Sequence, residues 1–250
     1  MKKVLLFIFI LLGLSGGFLF LHRQFKPQNY GAPPYIDDEG DNQDLAGNPD
    51  FSNWQRPEGP LRVGLQAGHW QNEELPEELA RLKTSGGTSS GEIAEWEVNL
   101  NIAEETKKLL EKEGIVVDIL PATIPPAYLA DAFVAIHADG STDRNQNGFK
   151  VAASRRDLTG KAKTLVQIVE ENYAKTTGFS QDPNITRGMT GYYAFSWRRF
   201  THAIHPMTPA VILETGFLTN PAEAKRLINH PEIPAQAIAT AVLAFLTPEG

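Results

Sequence analysis

The sequence predicts an α/β fold in which a mainly parallel β-sheet carries helices on both faces. From about residue 59 onward, short apolar runs alternate with longer amphipathic segments, which is typical of β-strands alternating with helices. The chain has 250 residues and 42% hydrophobic content, enough to form one sizeable core. Ligands of such sheets bind beyond the carboxyl ends of the strands, so a functional site is expected there.

The elements follow one another along residues 59–250. Short runs rich in Val and Ile indicate the strands, and apolar residues recurring three and four positions apart indicate the helices. Gly114 follows the first helical pattern, as expected because glycine favours helix ends. The predicted strands span 61–66, 115–120, 132–136, 148–153 and 210–213, and the predicted helices span 93–113, 161–176, 222–229 and 234–246.

The first 58 residues differ in composition from this domain. Residues 4–21 carry no charge and follow Lys2 and Lys3, a pattern typical of a membrane-targeting segment. The length of the run, and an end without a small-x-small cleavage pattern, favour an uncleaved signal anchor within residues 1–26 over a cleaved signal. Residues 27–58 contain seven acids and only one basic residue, which predicts a solvated linker. The domain at 59–250 is therefore expected outside the cytoplasmic membrane, tethered to it.

Composition excludes several classes of function. The net charge is −7 and no basic stripe is present, which argues against nucleic-acid binding. The chain has no cysteine, so a metal must be held by histidine and carboxylate side chains. The two Gly-x-Ser-x-Gly matches, at residues 13–17 and 87–91, do not follow a predicted strand, so neither forms the nucleophile elbow that would support a serine hydrolase. The glycine-rich stretch 86–91 lacks the lysine of a phosphate-binding loop and is interpreted as a mobile loop beside the site.

Three of the predicted strands carry a chemically active residue at or just past their carboxyl ends, namely His69, His137 and Glu214. Glu95 lies in the middle of the apolar face of the first predicted helix. A carboxylate on a buried face is costly unless it is paired or coordinates a metal ion. The residues alone leave both alternatives open for Glu95, a metal site or a salt bridge to an arginine such as Arg187.

Four segments, in order, resemble the signature blocks of the zinc-dependent N-acetylmuramoyl-L-alanine amidases of the amidase 3 family, and together they span roughly residues 60–247. These segments are 68–69, 95–103, 133–139 and 209–221. The resemblance implies that Zn²⁺ is the cofactor and that His69, Glu95 and His137 hold it. It also implies that Glu214 is the catalytic carboxylate. The implied substrate is the amide that joins N-acetylmuramic acid to L-alanine in peptidoglycan.

The chain departs from the family pattern around the first histidine. The family usually has Asp-Pro-Gly-His-Gly-Gly, whereas this chain has Gln-Ala-Gly-His-Trp-Gln at residues 66–71. Without glycines after the histidine, the backbone there has less conformational freedom. Trp70 is a candidate for substrate binding in a sugar subsite, or it fills the loop. Residues 120–130 form a shorter segment than the family's and lack its arginine-containing helix.

Several alternatives stay open at the level of sequence. Arg187 is expected to shape the substrate groove, and His202 and His205 are candidates for substrate contact or metal binding. For Glu214 there are two alternatives to the catalytic role. It is a fourth zinc ligand, or it forms a salt bridge to Arg187 or Arg199. The competing functions are a non-catalytic peptidoglycan-binding module of the same fold and a zinc carboxypeptidase that acts on stem peptides. The sequence does not decide whether an activator protein is needed.

Overall fold

The structure is a computed structural model that describes residues 50–247. Its centre is a five-stranded sheet in the order β4-β1-β5-β7-β6. The strands β1, β4, β5 and β7 run parallel, whereas β6 pairs with β7 in the antiparallel direction at one edge. The mainly parallel sheet is thus confirmed. The strands are β1 Arg62–Ala67, β4 Val116–Leu120, β5 Ala132–Asp139, β6 Lys150–Ala153 and β7 Ala210–Phe217.

The four predicted helices agree with the structure to within about two residues at each end, and the short helix α3 was not predicted. The first helix begins at Glu95 rather than at residue 93, because Ile93–Ala94 (β3) pairs with Ser89–Ser90 (β2) in a short hairpin. This hairpin fixes the position of Glu95 at the first turn of the helix. The helices are α1 Glu95–Lys112, α2 Ala162–Thr177, α3 Arg187–Thr190, α4 Pro221–Asn229 and α5 Glu232–Leu246.

Helices lie on both faces of the sheet, as predicted, but unequally. The long helices α1, α2 and α5 pack with α4 on one face, against side chains such as Val134 and Leu213 that are fully buried. The second face is covered by α3, by short 3-10 helices such as Glu77–Leu82, and by irregular chain. Both faces of β5 are buried, which explains why its sequence is almost continuously apolar.

Strands β5 and β7 continue beyond the residues where their apolar patterns stop. His137 and Glu214 therefore lie inside the strands and face each other across the β5–β7 pair. The register shifts between His137 and Asp139, and the pairing resumes at Phe217. The predicted ends at residues 136 and 213 are too early, because the backbone ladder continues where the polar site residues begin.

Residues 51–57, which composition assigns to the linker, contact the domain at the amino ends of the strands. The rings of Phe51 and Trp54 lie 5.6 and 6.2 Å from the ring of His205. Arg56 forms an ion pair with Asp131, immediately before β5. Contacts with the domain therefore begin before residue 59. The predicted membrane segment and most of the linker lie outside the described residues, and within 50–247 no helix has the length and hydropathy needed to cross a membrane.

Candidate metal centre

Three side chains meet at the carboxyl end of the sheet, from the turn after β1, from α1 and from β5. One ligand atom from each of His69, Glu95 and His137 lies within 4.8 Å of the others. Glu95 Oε1 lies 3.5 Å from His69 Nε2 and 3.1 Å from His137 Nδ1. The structure therefore brings together the three residues for which the sequence indicates metal binding.

Glycines allow this close approach. A Cβ atom on Gly68 would lie 2.3 Å from Cε1 of His137, and one on Gly87 would lie 2.4 Å from Oε2 of Glu95. His69 itself has φ of 63°, the left-handed conformation that non-glycine residues seldom adopt. Gln71, at a position where the family usually has glycine, also has a positive φ of 59°. Such strained residues cluster at functional sites.

Hydrogen bonds orient both imidazole rings. Nδ1 of His69 lies 2.6 Å from the carbonyl oxygen of Ser85, which can only accept, so Nδ1 carries the proton and Nε2 has a free lone pair. The Tyr192 hydroxyl donates to Oε1 of Gln66 at 2.9 Å. It therefore accepts from Nε2 of His137 at 3.0 Å, so in the neutral imidazole, the form that binds a metal, the lone pair lies on Nδ1. Both lone pairs belong to the nitrogens that lie nearest Glu95.

Glu95 is held as a carboxylate. It is only 2% exposed, and its two oxygens accept hydrogen bonds from the backbone N–H of Thr88 (2.8 Å) and Ala138 (3.1 Å). With no metal bound, burial opposes ionisation, but the hydrogen bond and charge of protonated His137, the charge of protonated His69 and the backbone N–H of Thr88 outweigh it and lower the pKa of Glu95 to about 2. Among residues 50–247 no arginine pairs with Glu95, and Arg187 is exposed at the start of α3. The salt-bridge alternative thus has no support in the structure.

The geometry and chemistry of this donor set fit a zinc ion. Two imidazole nitrogens with free lone pairs and one carboxylate are ligands that Zn²⁺ prefers, and three protein ligands leave one position open. Ligand atoms around a tetrahedral zinc lie about 3.3 Å apart, given bonds of about 2.0–2.1 Å. The distances of 3.1 and 3.5 Å from Oε1 of Glu95 match that spacing.

Glu214 stands beside this cluster but outside it. The ligand cluster contains only His69, Glu95 and His137 among the described residues, which argues against Glu214 as a fourth ligand. Burial, together with the charges of Glu95 and Asp139, raises the pKa of Glu214 to about 7 against the opposing charge of His137. No ion pair joins Glu214 to an arginine within residues 50–247. The carboxylate is therefore available for proton transfer.

The cluster and Glu214 line the same cleft, which has a volume of about 710 Å³. One wall is the loop at residues 84–88, and the other is formed by residues 138–142. Gly86 and Gly87 thus place part of the predicted glycine-rich loop beside the site. Since Ser85 contacts His69 and Thr88 contacts Glu95, this loop is bound directly to two residues of the cluster.

The structure does not bring the four predicted substrate-binding residues into the lining of this cleft. Trp70 is half-buried, and its carbonyl accepts a hydrogen bond from the backbone N–H of Ala122. Arg187 lies exposed in the first turn of α3. His202 pairs with Glu78. His205 is buried at the amino ends of the strands, because Phe51 and Trp54 cover it.

Sequence reasoning missed two residues of the site, Gln66 and Tyr192. Gln66 is fully buried, and its side chain joins Tyr192 and Tyr193 behind the imidazole of His137. Its signal is a lone amide within an apolar strand, since a buried polar side chain requires partners. Tyr192 lies in irregular chain without a periodic pattern, so the sequence around it carries no comparable signal.

A family model and the curated relatives of this chain point to the same protein family. The family model described as N-acetylmuramoyl-L-alanine amidase (amidase 3) matches residues 63–244. A protein named probable cell wall amidase LytH, from Staphylococcus epidermidis, is 30% identical over 164 residues, which cover 61% of this chain and 51% of that protein. The chain thus spans about half the length of the curated relatives it matches.

Solved structures share the fold. The N-acetylmuramoyl-L-alanine amidase AmiC2 of Nostoc punctiforme has a TM-score of 0.55 and 21% identity, over 76% of this chain and 99% of that one. The CwlD amidase of Clostridioides difficile, solved in complex with the GerS lipoprotein, has a TM-score of 0.52 and 18% identity, over 76% of this chain and 100% of that one. At these identities the likeness establishes the fold alone.

Proposed function

Because the chain belongs to the N-acetylmuramoyl-L-alanine amidase family, we propose that it hydrolyses the amide between N-acetylmuramic acid and L-alanine in peptidoglycan. One observation carries the proposal: a metal-ligand cluster and a separate carboxylate, Glu214, line one open cleft. A binding module has no need of a carboxylate whose pKa, at about 7, suits proton transfer near neutral pH.

In this proposal His69, Glu95 and His137 hold one zinc ion. Bound zinc supplies a Lewis acid that polarises the scissile carbonyl and lowers the pKa of water to about 7. The chain contributes orientation, because the contacts of Ser85 and Tyr192 leave the lone pair of each histidine facing Glu95.

Glu214 acts as general base and then as general acid. Its carboxylate accepts a proton from the attacking water, and the same carboxyl returns that proton to the nitrogen of the departing L-alanine. Lys150, its partner across the β6–β7 pair, is buried and forms ion pairs with Asp139 and Asp182. These pairs hold the edge of the sheet rigid beside the carboxylate.

The substitution Glu214→Gln tests this role. Turnover of purified muropeptide is expected to fall by roughly 10²- to 10⁴-fold, while zinc content and the folded state persist. Glu104→Gln, an exposed change on α1, serves as the control for loss of one acid and keeps wild-type turnover. Hydrolysis at the wild-type rate by the Glu214 variant would remove the proposed base, and loss of zinc would show Glu214 to be a ligand.

The products separate this function from its two competitors. An amidase releases an intact stem peptide that begins with L-alanine, whereas a carboxypeptidase releases only a terminal amino acid. A binding module releases neither. Because a solved structural neighbour forms a complex with a lipoprotein, the assay is run with the purified chain alone and again with a membrane extract. Activity only in the second case would identify a required activator.

The proposed place of action is outside the cytoplasmic membrane. The name of the staphylococcal relatives, cell wall amidase, supports action on the wall. The apolar run at residues 4–21 supports a tether through the N-terminal segment, and the acidic stretch that follows supports a spacer between membrane and domain.

A further inference from the structure

A second cavity, of about 250 Å³, opens on the second face of the sheet near the edge strand β6. Four arginines line it, and we call it the arginine pocket: Arg155 and Arg156 follow β6, and Arg198 and Arg199 follow the 3-10 helix Tyr193–Phe195. No acidic residue lines this pocket, although the whole chain carries a net charge of −7. The positive charges of the four arginines are therefore not balanced by any acidic side chain in the lining of the pocket.

The contacts of these arginines leave their charges uncompensated. Within residues 50–247 none of the four forms an ion pair with a carboxylate. The Nε of Arg155 donates to the Thr190 hydroxyl at 3.0 Å, whereas the Nε of Arg198 is buried and has no hydrogen-bond partner. A buried donor without a partner is costly, so this atom marks a position where a ligand could accept a hydrogen bond.

Aromatic rings hold two of the guanidinium groups in place. Arg198 lies 5.0 Å above the ring of Trp197, and Arg199 lies 5.1 Å above the ring of Phe200. Stacking of this kind leaves the N–H edge of the planar group free to bind an anion. Guanidinium groups bind carboxylates through two parallel hydrogen bonds, which favours a carboxylate as the ligand.

Tyr192 connects the arginine pocket to the metal cluster. Thr190 and Gly191 line the pocket, and the next residue, Tyr192, contacts His137 of the metal cluster. Phe195 also lines the pocket, with its ring 5.6 Å from that of Tyr192. Because β6 is antiparallel to β7 and Lys150 lies opposite Glu214, Arg155 lies five residues, or about 17 Å, from the level of Glu214 toward the amino ends of the strands. The terminal carboxylate of an extended stem peptide of about five residues can reach that far from the scissile amide.

We propose that the arginine pocket binds free carboxylates of the stem peptide in peptidoglycan. The inference rests on the proposed function, since it places the scissile amide in the cleft and the acidic residues beyond L-alanine over Tyr192. The pocket would then select stem peptides by charge, and the amidated form of the same peptide would bind more weakly. Phosphodiester polymers carry negative charge as well, but nothing connects them to the cleft.

Kinetics with two substrates provide the first test. The variant R156Q/R199Q removes two exposed charges, and K163Q/K175Q removes two exposed charges from α2 as the matched control. On a muropeptide with free carboxylates, R156Q/R199Q is expected to raise KM at least about tenfold with kcat unchanged, since each lost charge-assisted hydrogen bond costs about a factor of ten. On the amidated muropeptide, wild type and variant are expected to have equal KM.

Binding of the released stem peptide provides a readout that does not depend on hydrolysis. Calorimetry on zinc-loaded protein is expected to show a Kd that rises about tenfold or more in R156Q/R199Q and is unchanged in K163Q/K175Q. Equal Kd values in wild type and R156Q/R199Q would overturn the inference. Tighter binding of oligoglycerol phosphate than of the peptide would overturn it too, in favour of a phosphate site. Arginine-dependent peptide binding without any hydrolysis by wild type would instead contradict the proposed function.

Discussion

At the scale of single residues, the site depends on groups that contact the histidines of the cluster without themselves being metal ligands. The Tyr192 hydroxyl fixes the tautomer of His137 because it donates to Gln66 and can only accept from the imidazole. The carbonyl of Ser85 does the same for His69 from the opposite side. Partners of this kind set the affinity of a metal site as well as its orientation.

Tyr192→Phe removes one of these partners and tests its role. Zinc affinity is expected to fall about 10- to 100-fold, the usual cost of losing such a group behind a metal ligand. Competition with a fluorescent zinc chelator measures the Kd directly. Tyr128→Phe is the matched control, since its hydroxyl bonds to Asp118 away from the cleft. Equal zinc affinity in the two variants would mean that Tyr192 does not orient His137.

Gly68→Ala tests the space available behind the cluster. The added Cβ would lie 2.3 Å from the imidazole of His137, so the ring must move and the ligand set is expected to lose stoichiometric zinc. Gly86→Ala, in the same cleft, is the control, because nothing lies within 4 Å of its added Cβ. Metal analysis after dialysis distinguishes them. A Gly68 variant with a full complement of zinc would show that the ring relaxes without cost.

The clustering of His69, Glu95 and His137 could be predicted from the sequence, and the side chains behind them could not. His69 and His137 stand out because they follow apolar strands whose carboxyl ends meet at one edge of the sheet, and Glu95 because a carboxylate on a buried helix face needs a partner. Tyr192 does not stand out, because a tyrosine in irregular chain has many ordinary explanations. The sequence also gives no sign that His205 lies away from the cleft, since only the folded chain brings Phe51 and Trp54 over it.

At the scale of elements, periodicity identified every long helix and every strand of the sheet. It failed at the ends of β5 and β7, because hydrogen bonding between the strands continues through His137 and Glu214 whatever their polarity. It also gave no sign that the long helices share one face. The second face is built from short turns and 3-10 helices, whose packing depends on contacts distant in sequence.

One contact on that second face predicts a pH dependence of stability. Burial lowers the pKa of His205 to about 4, so the unfolded chain, with a pKa near 6.5, takes up the proton first as the pH falls. The contribution of neutral His205 to the free energy of unfolding is therefore complete above about pH 6.5, and it is lost progressively as the pH falls toward about 4. When the pH is lowered from about 7.5 to about 5, the free energy of unfolding of the wild type is expected to fall by on the order of 2 kcal/mol more than that of His205→Gln.

Urea unfolding of the metal-free protein at both pH values measures this difference. Zinc is removed because its release at low pH would otherwise add to the loss of stability. Protonation of His69 and His137 is common to wild type and variant and cancels in the difference. His230→Gln, a change of an exposed histidine, is the control and should behave as wild type. The same pH dependence in wild type and His205→Gln would contradict a role for His205.

At the scale of the whole molecule, the proposed place of action depends on the N-terminal segment. The full-length protein is expected in the membrane fraction with its N-terminus intact, because residues 4–21 are uncharged and of sufficient length to span a bilayer. Fractionation followed by N-terminal sequencing measures both properties. Recovery from the cytosol would contradict the tether, and a trimmed N-terminus would identify a cleaved signal.

The contacts of Phe51 and Trp54 place the entering chain and the cleft at opposite ends of the sheet. They fix the entering chain at the amino ends of the strands, whereas His69 and His137 lie at the carboxyl ends. The eight residues of β5 separate these ends by about 26 Å at about 3.3 Å per residue. In an anchored copy the connecting chain would leave the domain at the end opposite the cleft, so the path to the membrane would not cross the opening through which the glycan strand must enter.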